Sequence, residues 1–297
     1  MPSTLFTEAP HWRWLIVFYF FLGGIAGGAY FLAALVDFFG RPTDRPLARL
    51  GYLIAFPLVV VCGLLLIVDL GRPERFWHML IQAHTFRPMM KSYSPMSIGS
   101  WGVLLFGAFS FLSFLGTLAE RDAARERALR VFRAPGILGV VITVLGGIFG
   151  LFLAGYTGVL LSVTNRPIWA DTTLLGLTFL ISSASTAAAL VILLSWRRRN
   201  TLTGLRALER FDGWLLVFEL VALIALVFSL GEIARLWLGL WGALLLFGVI
   251  GLGIVLPLLV HWRPRVFGSA SGPVAAVLVL VGGFLLRVVV VLSSEGA

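Results

Sequence analysis

The sequence is 297 residues long, 59% hydrophobic and only 12% charged, with a formal net charge of +9. Soluble domains carry about 25% charged residues, so this chain has about half the charge needed to cover a water-facing surface, which excludes a soluble enzyme, a nucleic-acid module and a disordered tail. One cysteine, Cys62, stands inside an apolar run and excludes a disulfide framework, a thiolate metal site and an iron–sulfur cluster held by this chain.

Runs of about 20 apolar residues are long enough to cross hydrocarbon as helices. Eight follow one another, at about 14–38, 48–70, 97–119, 136–161, 169–195, 212–230, 236–260 and 273–293. The expected fold is an all-α integral membrane protein of eight transmembrane helices in two four-helix bundles, a single membrane domain over residues 1–297. His11, Trp12, Arg13 and Trp14 flank the first run where a signal peptide would have a basic stretch, and no small-residue cleavage site follows, so no cleavable signal is expected.

The connections after the first, third, fifth and seventh runs hold fifteen of the 23 Lys and Arg residues. The positive-inside rule puts those connections in the cytoplasm. Both termini then lie outside, in the periplasm of a bacterial inner membrane. The charge of +9 thus marks topology, with lipid and not nucleic acid as the expected partner.

In chain order, the first run carries Tyr19 about two turns from its outer end, a small-residue string GGIAGGAYFLAAL, and Asp37 toward the inner side. The second closes on Asp69 at the outer side. Residues 71–96, GRPERFWHMLIQAHTFRPMMKSYSPM, are too long for a tight connection and too polar to span. Loops of this length tend to be functional or disordered, and the aromatic and methionine content here argues for order. The segment is expected to be a structured outer lid open to a partner, or an interfacial helix anchored by Phe76 and Trp77. The fourth run ends with Tyr156 in GYTGVLLS. The fifth repeats the small-residue character in ISSASTAAALVIL, which suggests equivalent helices in the two bundles. Glu219 lies in the inner half of the sixth run, and Arg287 in the outer third of the eighth.

The four histidines, His11, His78, His84 and His261, all fall outside or at the ends of the runs. Bis-histidine haem ligation needs two facing imidazoles within the bundle, so no haem is expected, and no metal site either. Tyr19, Asp69 and Tyr156 all belong to the outer interface and suit a quinol site. A quinone offers two carbonyl oxygens to donors, and quinol oxidation needs a group to accept protons. The alternatives are an aromatic-belt role for the tyrosines and a structural ion pair of Asp69 with Arg72 or Arg75; a carboxylate at a helix C-terminus calls for some cation. Glu219 and Arg287 either satisfy one another or, with Asp37, offer a proton route.

The strings FYFFLGGIAGGAYFLAAL, DLGRPERFWHML, SPMSIGSW and AGYTGVLLSVTNRPIW resemble the NrfD/polysulfide reductase membrane-subunit family over essentially the whole chain. That resemblance implies a membrane anchor binding a quinone (menaquinone or ubiquinone) and carrying no redox centre of its own. It exchanges electrons with a four-cluster ferredoxin-like iron–sulfur subunit that serves a molybdopterin catalytic subunit. It also puts the tyrosine of the YTG string, Tyr156, beside the quinone. A histidine that family members carry in the first helix corresponds to Tyr19, which keeps a donor but loses a group titrating near neutral pH. Asp69, Arg72, Arg75 and His84 are then expected to organise the site or contact the partner. Similar subunits occur in alternative complex III, where electrons pass to haems. A transporter is a further possibility, for which Pro57, Pro257 and Glu219 are the only support.

Overall fold

The computed structural model describes residues 12–120, 126, 128–196, 202–262 and 270–294. His11 and the arginines Arg121, Arg125, Arg127, Arg197, Arg198, Arg199, Arg263 and Arg265 lie outside the described residues.

Eight helices among the described residues are long and apolar enough to cross a membrane. Helix α1 runs from Trp14 to Phe39 and stops at Gly40. Helix α2, Arg45–Asp69, starts with Pro46 in its first turn, where the missing N–H costs nothing. Helix α3, Pro95–Ala119, has the same device, with the Ser94 hydroxyl accepting the Ser97 N–H at 3.4 Å. Helices α4 (Ile137–Ser162), α5 (Leu175–Ser195) and α6 (Leu202–Leu230) follow. Helix α7 covers Leu240–Trp262, π-helical between Leu244 and Val255, and α8 covers Ser271–Ser293.

Two boundaries differ from the hydropathy pattern for physical reasons. The fifth helix starts at Leu175 and not near 169, because Ile168 turns through φ +70° and Trp169 is buried in a loop. The Trp169 indole donates to the Val290 carbonyl at 2.7 Å and stacks on Trp12 at 5.5 Å. The apolar run there is a folded-in loop. The sixth helix starts at Leu202, ten residues before the expected 212, because Arg206, Glu209 and Arg210 are helix-compatible residues that apolarity does not detect.

Helix α1 packs against α2, α4, α5 and α8, and α5 against α4, α6 and α8. In lipid this association rests on close van der Waals packing and not on the hydrophobic effect. Small residues permit it: a Cβ on Gly150 of α4 would stand 2.8 Å from the Gly27 carbonyl of α1, and one on Gly28 2.7 Å from the Ser183 carbonyl of α5. Tyr30 of α1 adds a hydrogen bond between its hydroxyl and that of Ser113 in α3 at 2.6 Å, and donates to the Ile142 carbonyl of α4 at 3.1 Å.

Residues 71–96 cross one end of the molecule as an ordered strap. Pro73–Met79 form a 3₁₀ turn, so the interfacial α-helix is not formed. A short hairpin follows, with the Met89 N–H bonded to the Leu80 carbonyl at 2.7 Å and Gln82 to Arg87 at 2.9 Å. The Trp101 indole donates to the Met89 carbonyl at 3.0 Å and ties the strap to α3.

Candidate functional site

At the strap end, α1 to α4 diverge around a cleft of about 470 Å³, roofed by Phe76, Met79 and Leu80 of the strap. Its wall is largely apolar, with Ile16, Phe20, Leu66, Val103 and Leu160 among the lining side chains. Tyr19, Asp69 and Tyr156 all line it, so three side chains from three helices converge.

Tyr19 is 2% exposed, and its hydroxyl makes no hydrogen bond with a described residue. A donor is thus available at the cleft wall. Tyr156 is differently engaged: its hydroxyl donates to the Pro95 carbonyl at 2.6 Å, and its ring stacks on Phe152 at 5.1 Å. Its oxygen, while donating, can still accept a hydrogen bond. A Cβ at Gly99 would overlap the Tyr156 ring and hydroxyl, so α3 can approach this tyrosine only with glycine there. Asp69, the last residue of α2, is exposed at the mouth.

No cation among the described residues pairs with Asp69, for which a partner was expected. Arg72 and Arg75 are exposed, and neither pairs with a described acid. The chain turns away at Gly71 with φ +68°, and water solvates an exposed carboxylate well enough that a surface pair would add little. His84 sits exposed in the hairpin and does not line the cleft.

The three residues of the expected proton route are not together. Asp37 belongs to a cluster at the opposite end, where Arg45 pairs with Asp37 and, at 2.7 Å, with Glu120; Tyr52 donates to Asp37 at 2.9 Å, and Arg133 meets Glu120 at 3.2 Å. That cluster ties α1, α2 and α3 to the chain before α4. Glu219 and Arg287 are both buried among α5, α6 and α8, but they form no direct ion pair. The Arg287 guanidinium instead donates to Ser182 at 2.5 Å, Ser183 at 3.1 Å and the Gly283 carbonyl at 2.8 Å, with Ser182 standing beside the Glu219 carboxyl.

Two further charged residues, Asp212 and Arg166, are buried. Asp212 is fully buried against α5, where the Ser185 hydroxyl donates to its Oδ1 at 2.8 Å. Its place at the very start of the apolar run is that of a membrane-edge residue; its spacing from Glu209 and Glu219 on one helical stripe was the available signal. Arg166 is 7% exposed and donates to the Ser294 carbonyl at 3.2 Å, holding the α4–α5 loop to the end of α8. No group of three or more His, Cys, Asp or Glu side chains with metal-binding geometry occurs among the described residues.

Comparison with known proteins adds to this geometry. The chain matches the family model described as polysulphide reductase, NrfD, over residues 4–295. It is 29% identical to the protein NrfD of Escherichia coli (strain K12), across 99% of this chain and 98% of that protein. It is also 29% identical to one of the chains of the polysulfide reductase of Wolinella succinogenes, across 96% of this chain and 94% of that one. A shorter likeness, 29% over 38% of this chain and 24% of the other, links it to a subunit of the selenate reductase of Mesobacillus selenatarsenatis. A match that spans nearly every residue of an eight-helix membrane protein leaves one assignment: the chain belongs to the NrfD polysulphide reductase family.

Proposed function

We propose that the protein is the membrane subunit of a reductase-type complex, binds a quinone or quinol in the cleft at the strap end, and exchanges electrons there with a partner subunit. The observation that carries this reading is the convergence of Tyr19, Asp69 and Tyr156 on one apolar cleft that opens beneath residues 71–96. The volume, about 470 Å³, is within the range of small-molecule sites, and an apolar wall with a few polar groups is their usual make-up. Tyr19 can donate to one quinone carbonyl. Tyr156, already donating to Pro95, can accept from a quinol hydroxyl. Asp69 at the mouth can take the proton and pass it to water. Oxidation of one quinol releases two electrons and two protons; quinone reduction reverses both.

In this reading the electrons pass to or from a centre outside this chain, as the single cysteine and the positions of the described histidines, His78 and His84 in the strap and His261 near the end of α7, support. The strap is the natural docking surface. Phe86 is 75% exposed and Tyr93 80%, beside the exposed cations Arg72, Arg75, Arg87 and Lys91. Exposed apolar groups rimmed by charge mark protein contacts. The partner in this reading is an iron–sulfur subunit carrying electrons between the cleft and a molybdopterin catalytic subunit. Two of the relatives are named as components of multi-subunit reductases, which supports a place of that kind for this chain. The fifteen arginines that the sequence puts in the connections after the odd-numbered spans support a reading in which the strap, the cleft and both termini lie on the periplasmic side of a bacterial inner membrane.

Purification of the tagged chain from its native membrane in mild detergent tests the assignment. An iron–sulfur subunit and a molybdopterin subunit are expected to co-purify, with quinone extractable from the complex. Multihaem cytochromes in their place, or the chain alone and free of quinone, would overturn it.

A further inference from the structure

A second cleft, of about 420 Å³, lies where α6, α7 and the first turn of α8 meet. It belongs to the end opposite the strap, because the start of α6 at Gly204 abuts Asp44 in the turn between α1 and α2. Arg206 and Arg210 line it, and both are exposed. Four residues apart, they stand one above the other on a single face of α6. Neither makes a hydrogen bond or an ion pair with a described residue. Elsewhere at this end Arg45 is neutralised by Asp37 and Glu120, and Arg133 by Glu120.

The acid in the cleft, Glu209, is turned toward α8. A Cβ on Gly272 would stand 2.6 Å from Glu209 Oε1, so the carboxylate lies against the first turn of that helix. Ala270 gives that turn no side-chain cap, and a negative charge is favoured beside the free N–H groups of a helix start. His261, the other titratable group lining the cleft, donates from Nδ1 to the Pro257 carbonyl at 2.8 Å. The two guanidinium groups therefore set the charge of the opening.

Along α6 the lining changes in a fixed order. Beyond Arg206 and Arg210 come Trp214, 65% exposed, and then Val217. Across from them α7 contributes Trp262, 71% exposed, at its end and Val260 two residues deeper. The rise from Arg210 to Trp214 is about 6 Å, which matches an interfacial layer about 5–8 Å thick on each side of the hydrocarbon, the layer that Trp favours. Guanidinium, indole and aliphatic wall follow the order of phosphate, glycerol ester and acyl chain in a phospholipid. Gly213, between the charged and aromatic levels, also lines the cleft, and a Cβ there would meet nothing within 4 Å.

We propose that this cleft binds an anionic phospholipid, with the phosphate between Arg206 and Arg210 and an acyl chain along Val217 and Val260. A guanidinium fork matches phosphate oxygens, and basic pockets between transmembrane helices recognise anionic headgroups. A zwitterionic lipid brings its own cation to an opening whose one carboxylate is held at α8. The site is independent of the quinone reading and shares no lining residue with the strap cleft.

The test uses the full-length chain, delipidated by detergent exchange and titrated with phosphatidylglycerol or phosphatidylcholine of identical acyl chains, with bound lipid counted by native mass spectrometry. Phosphatidylglycerol is expected to fill one site about tenfold more tightly than phosphatidylcholine. Arg206→Gln combined with Arg210→Gln is expected to weaken it about thirtyfold, from about fivefold per arginine. The same change at Arg41 and Arg130, exposed at this end but outside the cleft, is expected to alter affinity by less than about twofold. Equal losses from both pairs would show attraction to a basic face in general and overturn the site. Equal affinity for the two lipids overturns it too, as does saturation by inorganic phosphate in place of lipid. Gly213→Trp fills the open space between the headgroup and ester levels and is expected to expel the lipid; wild-type binding in that variant refutes the placement.

Discussion

Replacing Tyr156 by Phe deletes one oxygen from the cleft and keeps the ring that stacks on Phe152 and fills the space left by Gly99. Two costs follow, and their sizes separate them. The hydrogen bond to the Pro95 carbonyl, 2.6 Å long, is lost. Interhelical hydrogen bonds in membrane proteins contribute about 0.6 kcal/mol on average and up to about 1.7. The Pro95 carbonyl opens α3 and keeps its place at the start of the helical ladder, so the stability cost belongs near the low end. The second cost falls on turnover. If the Tyr156 oxygen accepts from a quinol hydroxyl, its loss removes about 1.4–3 kcal/mol of stabilisation as the proton leaves, which is about a tenfold to hundredfold loss of rate. The assay is quinol-dependent turnover of the co-purified complex, with subunit content measured on the same sample. A complex that assembles normally but turns over at least tenfold more slowly fits a site role. Turnover within about twofold of wild type, with inhibitor binding intact, would leave Tyr156 as a structural tie between α4 and α3.

Sidedness and packing can be probed independently. A cysteine at Lys91, exposed in the strap, is expected to react with a membrane-impermeant maleimide from the periplasmic side; reaction only from the cytoplasm would invert the orientation. Gly150→Val would force side-chain atoms against the Gly27 backbone. Overpacking costs about 1–3 kcal/mol, and the upper end is expected because the neighbour is backbone and cannot rotate away. A melting temperature of the detergent-solubilised protein within error of wild type would show that α1 and α4 slide apart without loss.

Membership of an eight-span, all-helical membrane fold was legible in the chain itself, because the cost of bare backbone in hydrocarbon leaves apolar runs of this length one solution. The strings around Tyr19, Asp69 and Tyr156 were legible for a similar reason: a polar side chain near a span end stands out against an apolar background, and span order assigns its side. The tertiary structure decided how those groups are used. It gave the Tyr156 hydroxyl to Pro95, left the Tyr19 hydroxyl without a partner among the described residues, and set Asp69 apart from both arginines that sequence proximity had offered it. It also divided the supposed proton route, with Asp37 held by Arg45 and Tyr52 and Glu219 lying in a different set of helices.

Where the positive charge falls along the chain, mostly in the connections after the odd-numbered spans, composition and order alone determine. The burial of Asp212 they do not determine. Helix α6 runs about three turns below its apolar stretch, and only packing against the serines of α5 turns a residue at the apparent membrane edge into one sealed from water. Hydropathy averages over a helix's circumference, whereas burial depends on which side of it meets a neighbour.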